Sequence, residues 1–293
     1  MGTHRRHRVL RAAVGALVLL GAAAGLTATA AATTAPQAAP SAPSAPGDDP
    51  RTLSVTLAGR SVAVDVYRPA GPPRGAVVLS HGFTRSRSTL GGHAAALAAT
   101  GVLALTPDLP HTFDFRRNAQ GLAELVAMLR GAAADGTPSP AGARSRGVDA
   151  AALGGPVERV VLVGFSAGAL SSLLAAGSPG VVGYVGLDAF DRIERGPEGG
   201  GTQALGLEHA RTLKTEALLL RAPPSRCNAQ AVSAPWGAAL PALRADTVID
   251  GATHCDFESP TDWMCRIACG DADPARQARV REALLQAVAR WLP

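Results

Sequence analysis

The stretch from Val157 to Leu170 constrains this chain more than any other part of it. Its first half, Val157-Glu158-Arg159-Val160-Val161-Leu162-Val163, is a β-branched, mostly apolar run of strand length. Its second half passes through Gly164-Phe165-Ser166-Ala167-Gly168 and continues as helix-forming residues from Ala169 to Ala176. A G-x-S-x-G pattern at a strand-to-helix junction predicts a nucleophile elbow, which holds its serine in strained backbone geometry. Side chains two residues before and after that serine would collide with the neighbouring helix and strand, and glycine at both places removes the collision. The start of the helix then directs backbone N–H groups towards the place where an oxyanion would form. A glycine-rich turn with an incidental serine is the plainer alternative, and the strand and helix flanks count against it.

The sequence of 293 residues is long enough for one large α/β domain with a sizeable core. Aromatic residues make up only 4%, so that core must be built mainly from Ala, Val and Leu. Lysine occurs once, as Lys214, and the remaining positive charge is arginine, which reads as genomic base composition before it reads as function. The formal charge of +5 includes Arg5, Arg6, Arg8 and Arg11, all of which precede the first acid, Asp48. Without them 24 basic residues face 23 acidic ones, a net charge of +1. A nearly neutral domain offers no electrostatic case for nucleic acid as a partner.

Residues 1–32 have the layout of a secretory signal peptide: four arginines, an apolar stretch from Ala12 to Leu26, then A-x-A cleavage options at Ala28–Ala30 and Ala30–Ala32. The apolar stretch is shorter than the ~20 residues that span a bilayer. Cleavage near Thr33 is therefore expected in preference to a membrane anchor, and no cysteine precedes Cys227 to carry a lipid. The expected location is periplasmic or extracellular. Residues 33–50 are almost all Thr, Ala, Pro and Ser and read as a linker. The folded domain is expected over residues 51–293.

Within that domain Arg51–Leu57 and Ser61–Tyr67 read as a hairpin, and Ala76–Ser80 and Val102–Thr106 as short strands. Ser86–Ala99 and Arg116–Arg130 read as helices, the latter from Leu122, Leu125, Val126 and Leu129 at helical spacing. After a polar loop over Gly131–Gly155 come the elbow, a strand over Val181–Leu187, strands at Ala217–Leu220 and Thr247–Ile249, and a closing helix over Pro274–Trp291. An opening hairpin followed by βα units implies an α/β fold, with a mostly parallel sheet of about eight strands covered by helices on both faces.

Serine chemistry needs a base, a carboxylate to orient it and two N–H donors for the oxyanion. Only His209 and His254 follow Ser166. His209 falls in a helical segment beside Glu208, whereas His254 falls in a loop after the last strand, at the edge where catalytic loops of parallel sheets gather. His254 is the expected base. No Asp or Glu lies between Ala217 and Ala245, so the acid is sought one strand earlier, where Asp188 stands at a strand end. Asp191 is the fallback, and Asp250 and Asp256 are too near His254 in sequence to orient it. The expected oxyanion donors are the N–H groups of Ala167 and of Phe83, the latter in the loop Ser80-His81-Gly82-Phe83-Thr84, where His81 shapes the loop.

On Ser80–Phe83, the G-x-S-x-G elbow and Gly186-Leu187-Asp188-Ala189-Phe190, the chain resembles serine hydrolases of the α/β-hydrolase superfamily over residues 52–292. It is most similar there to the branch of chlorophyllase, platelet-activating-factor acetylhydrolase and dienelactone hydrolase. Phe165 and Ala167 stand where chlorophyllases have histidine and arginine, which speaks against a chlorophyll substrate. The resemblance implies a carboxylic ester hydrolase that works through an acyl-enzyme, with catalytic Ser166, Asp188 and His254 and no cofactor or metal. A peptidase or amidase on the same triad, or a non-catalytic binding protein of the same fold, are the alternatives. The interval between Ala189 and Thr215 has room for a small cap at most, which suits water-soluble or polymeric esters. A monomer is expected, with no nucleic-acid partner and no membrane anchor after processing.

Four cysteines in an exported chain imply two disulfides. Cys227 follows one strand and Cys255 the next, which favours Cys227–Cys255 and leaves Cys265–Cys269. No CxxC pair accompanies them, so a zinc site is not expected.

Overall fold

The computed structural model describes residues 50–131, 150–195 and 202–293. The expected leader, nearly all of the linker and most of the loop before the elbow lie outside the described residues. The chain enters through a hairpin of β1 (Arg51–Leu57) and β2 (Arg60–Tyr67), whose two connecting residues, Ala58 and Gly59, both take positive φ (48° and 77°). Such turns match the twist of the strands that they join. There follow β3 (Ala76–Ser80), a 3₁₀ turn at Arg87–Leu90, α1 (Gly91–Ala99), β4 (Leu103–Pro107), α2 (Phe115–Leu129) and α3 (Ala150–Leu153). The elbow joins β5 (Val160–Phe165) to α4 (Ala167–Ala175), and β6 (Val181–Leu187) comes next. A two-stranded ribbon, β7 (Ile193–Arg195) and β8 (Thr202–Ala204), leads into α5 (Leu205–Ala210). The chain closes with β9 (Ala217–Arg221), α6 (Trp236–Ala239), β10 (Leu243–Val248), α7 (Trp263–Cys269) and α8 (Pro274–Trp291).

Eight strands form one sheet in the order β1-β2-β4-β3-β5-β6-β9-β10, antiparallel from β1 to β4 and parallel from there on. The central strands are apolar on both faces because both faces are covered. In β5, Val161, Val163 and Phe165 pack with Leu97 of α1 and Leu284 and Val288 of α8, while Val160 and Leu162 pack with Leu125 and Leu129 of α2. The same alternation divides Val77 and Leu79 of β3 from Ala76 and Val78. This period of two is what a one-residue slip would destroy, so burial sets the register of the strands that carry the site.

Strand β10 begins four residues earlier than the expected strand at Thr247. It is an edge strand, mostly exposed, in which Arg244 and Asp246 stand among the apolar positions. An edge strand has no apolar run to announce it. An ion pair from Arg221 to Asp246 (2.6 Å) ties it to β9. Among the described residues no helix is long and apolar enough to cross a membrane.

His93 of α1 is fully buried, and its Nε2 donates to the Phe257 carbonyl (3.1 Å). Burial lowers its pKa to about 4, and Arg281 acts in the same direction. Above pH 6.5 the imidazole is neutral in both the folded and the unfolded chain. Between about pH 6.5 and 4 only the unfolded chain takes up the proton, so stability falls as the pH falls. The shift corresponds to about 3 kcal/mol at full development. His93→Gln is expected to reduce the loss of urea-unfolding free energy between pH 7 and pH 4.5; an unchanged loss would show that other groups set it.

Candidate active site

Strands β5, β6 and β9 end in step. Phe165 pairs with Leu187, and Leu187 with Leu220, so the residues that follow them emerge together at the C-terminal edge of the sheet. Ser166 takes φ 52° and ψ −119°, a conformation costly for a residue with a side chain, and its N–H donates to the Leu187 carbonyl (3.0 Å). The flanking glycines make the turn feasible. A Cβ on Gly164 would lie 2.4 Å from the Ala169 Cα, and one on Gly168 would lie 2.3 Å from the carbonyl oxygens of Ser80 and His81.

Asp188 also has positive φ (39°), and its N–H donates to the Leu220 carbonyl (2.7 Å). Its Oδ2 receives the Nδ1–H of His254 at 2.5 Å. Strand β9 lies between β6, which carries Asp188, and β10, which leads to His254. Asp188 leans across the end of β9, where its Oδ1 accepts the Ala222 N–H (3.0 Å) and the Asn228 side chain (3.2 Å). The contact with Asp188 selects the tautomer of the neutral ring that has its proton on Nδ1 and its lone pair on Nε2. The Phe165 ring lies against the imidazole, centroid to centroid 4.5 Å. Ser166 (9% exposed) and His254 (8%) line one cleft of about 270 Å³.

Phe83 lies outside any helix or strand, and Ala167 is the first residue of α4. Among the described residues the N–H of neither has an acceptor, which leaves both available to a ligand. His81 shapes this loop as expected: its Nε2 accepts the Leu109 N–H (2.9 Å), so Nδ1–H donates to the Gly82 carbonyl (2.8 Å). Burial lowers its pKa and favours that neutral form.

The other candidates lie elsewhere. Asp191 is buried and accepts the N–H groups of Gly206 (2.6 Å) and Leu207 (2.9 Å) and the Trp236 Nε1–H (2.7 Å), so it pins α5 to α6. Asp256 caps the turn that carries His254 through the Thr253 N–H (2.7 Å) and pairs with Arg276 (2.6 Å). The Asp250 carbonyl accepts from Arg279. His209 is half-buried on α5, not on a fully solvated face.

Two features of the site were not apparent in the sequence. Asn228 steadies Asp188 while its Oδ1 accepts the N–H groups of Ser225 and Ala231, and a Ser-x-x-Asn capping box was the available signal. Arg85, in the loop after Phe83, forms a buried fork with Glu258 (2.5 and 2.9 Å), four residues past His254. That pair joins the Phe83 loop to the His254 loop.

The cysteine pairing is corrected. Cys227 is joined to Cys269 and Cys255 to Cys265, in place of Cys227–Cys255 and Cys265–Cys269. Cys265 and Cys269 are four residues apart on α7, so their side chains run side by side on one helix face. Helix α7 packs against both the Cys227 turn and the His254 turn, and it takes one bridge from each. All four sulfurs are thereby committed to disulfides.

No protein-family model and no curated protein matches the sequence. Solved structures do match in shape. Dienelactone hydrolase from Anabaena variabilis superposes with a TM-score of 0.57 at 17% identity, over 84% of this chain and 100% of that one. The esterase domain of a Rhodothermus marinus protein gives 0.56 at 17% identity, over 83% and 99%. Esterase 2 of Thermogutta terrifontis, in a structure phosphoramylated by tabun, gives 0.57 at 16%, over 85% and 96%. The chain has the α/β-hydrolase fold. On this α/β-hydrolase sheet the described insertion between β6 and β9 is small, two three-residue strands and the six-residue α5.

Proposed function

We propose that the protein is an exported serine hydrolase that cleaves carboxylic esters. The 2.5 Å contact between His254 Nδ1 and Asp188 Oδ2, with Ser166 on an elbow in the same cleft, supports this reading above all else. Ser166 Oγ attacks the ester carbonyl carbon while His254 Nε2 takes its proton. Asp188 holds the imidazole in the required tautomer and faces the charge that forms on it. The N–H groups of Phe83 and Ala167 receive the oxyanion. His254 then protonates the departing alcohol oxygen, and it activates the water that releases the acid and regenerates Ser166. Each step uses only protein groups and water. Export is supported by the signal-like residues 1–32 and by two disulfides, which persist in oxidising compartments.

A fluorophosphonate probe tests the assignment directly. The similar Thermogutta esterase forms a phosphorus adduct. Here the phosphorus is expected to bond to Ser166 Oγ with loss of fluoride, which intact-mass measurement and peptide mapping would detect. An unmodified protein, or an adduct on another residue, would overturn the reading.

A further inference from the structure

The chain holds six phenylalanines, and four of them, Phe83, Phe113, Phe115 and Phe190, line a single cleft of about 640 Å³ together with Ile193 and Val232. Ser166 and Ala167 form part of its wall. The other two, Phe165 and Phe257, are buried in the core, as is most of Phe115 at 5% exposure. Phe83 is 44% exposed and Phe113 64%, so folding gains little from either ring at these places. The two rings lean on each other, with centroids 5.1 Å apart and planes at 49°. An aromatic-poor chain has thus gathered four phenylalanines beside Ser166, and two of them, Phe83 and Phe113, face outward. The cleft falls within the ~300–1,000 Å³ usual for small-molecule sites.

A second observation gives the cleft a direction. Two clefts meet at Ser166. One is lined by His254, Arg85, Glu258 and Met264, the other by Ala167, Phe113, Phe115 and Phe190, and Phe83 stands between them as part of both walls. The alcohol oxygen must leave on the side from which His254 protonates it. The acyl group therefore extends the other way, into the phenylalanine cleft. The geometry points to this cleft as the acyl site for a carboxylic acid bearing an aromatic ring, so that the preferred substrates are arylalkyl or aryl carboxylate esters of small alcohols. Ring-on-ring contacts in offset or tilted arrangements reward such a group beyond its apolar area. This inference rests on the ester-hydrolase reading above.

Reversed esters test it. Methyl 3-phenylpropanoate and 2-phenylethyl acetate are isomers, with the ring on the acyl side in the first and on the alcohol side in the second. With active sites titrated by the fluorophosphonate, kcat/KM for the first is expected to exceed that for the second about ten-fold or more, and to exceed that for methyl octanoate. Phe113→Ala and Phe190→Ala are each expected to lower the ratio between the two isomers several-fold, mainly through KM for the phenylpropanoate. A ratio near one, a reversed ratio, a preference for the octanoate, or a ratio unmoved by both substitutions would overturn the inference. Calorimetric binding of 3-phenylpropanoate to the Ser166→Ala protein needs no turnover and separates the two readings. Binding weakened by Phe113→Ala would uphold the cleft even if the fluorophosphonate failed to react, and no binding at millimolar concentration would overturn it.

Discussion

Ester turnover by Ser166→Ala is expected to fall about 10⁶-fold, which is the scale of nucleophile loss in a serine triad. The folded state should survive. The contacts that Ser166 makes for the fold are all backbone ones: its N–H to Leu187 (3.0 Å), and its carbonyl to the N–H groups of Ala169 (3.0 Å) and Phe190 (3.1 Å). Alanine keeps each of them and bears the same positive φ. The measurement is initial-rate hydrolysis of a simple ester alongside a thermal melt. Near-wild-type turnover with an unchanged melt would remove Ser166 from the chemistry and with it the whole assignment.

The second large effect is expected at the acid. Asp188→Asn should reduce turnover by about 10²–10⁴, because the amide favours the imidazole tautomer with its lone pair on the wrong nitrogen. The asparagine oxygen can still accept the Ala222 N–H, so the shape of the site is preserved. Asp191→Asn is the informative control, for a reason visible only in three dimensions. Asp191 is no part of a mobile connection; it is buried, with four donors around it from Arg192, Gly206, Leu207 and Trp236. An amide there turns two hydrogens towards donors, so the loss should be about 1–3 kcal/mol of stability, with little loss of turnover in the folded protein. Thermal melts and rates measured on both variants separate the two roles. A critical Asp191 with a dispensable Asp188 would reverse the assignment of the acid.

Much of the site could be read from local chemistry. The glycines around Ser166 announce the elbow because any side chain there would meet backbone, at 2.4 Å for Gly164 and 2.3 Å for Gly168. The absence of acids from Ala217 to Ala245 pointed back to Asp188, and the structure gives the reason: the end of β9 supplies the Ala222 N–H to Asp188 instead of a carboxylate of its own. The hairpin turn, the apolar central strands and the closing helix are likewise consequences of residues close together in the chain.

What escaped that reading depended on partners distant in sequence. The cysteine pairing turned on α7, whose position between two turns follows from packing and not from any neighbour in the chain. Strand β10 carries polar residues because it is an edge, and edge status is a property of the sheet. Arg85 and Glu258 are 173 residues apart, and neither marks itself as the partner of the other. The gathering of four phenylalanines beside Ser166 draws on two loops and the start of α2, from three separate parts of the chain. Local sequence thus determined the elbow and the central strands and pointed to Ser166, Asp188 and His254, since backbone sterics and periodic burial act over a few residues. Only the tertiary structure decided which loops meet above the sheet, because that depends on strand order and on packing between elements far apart in the chain.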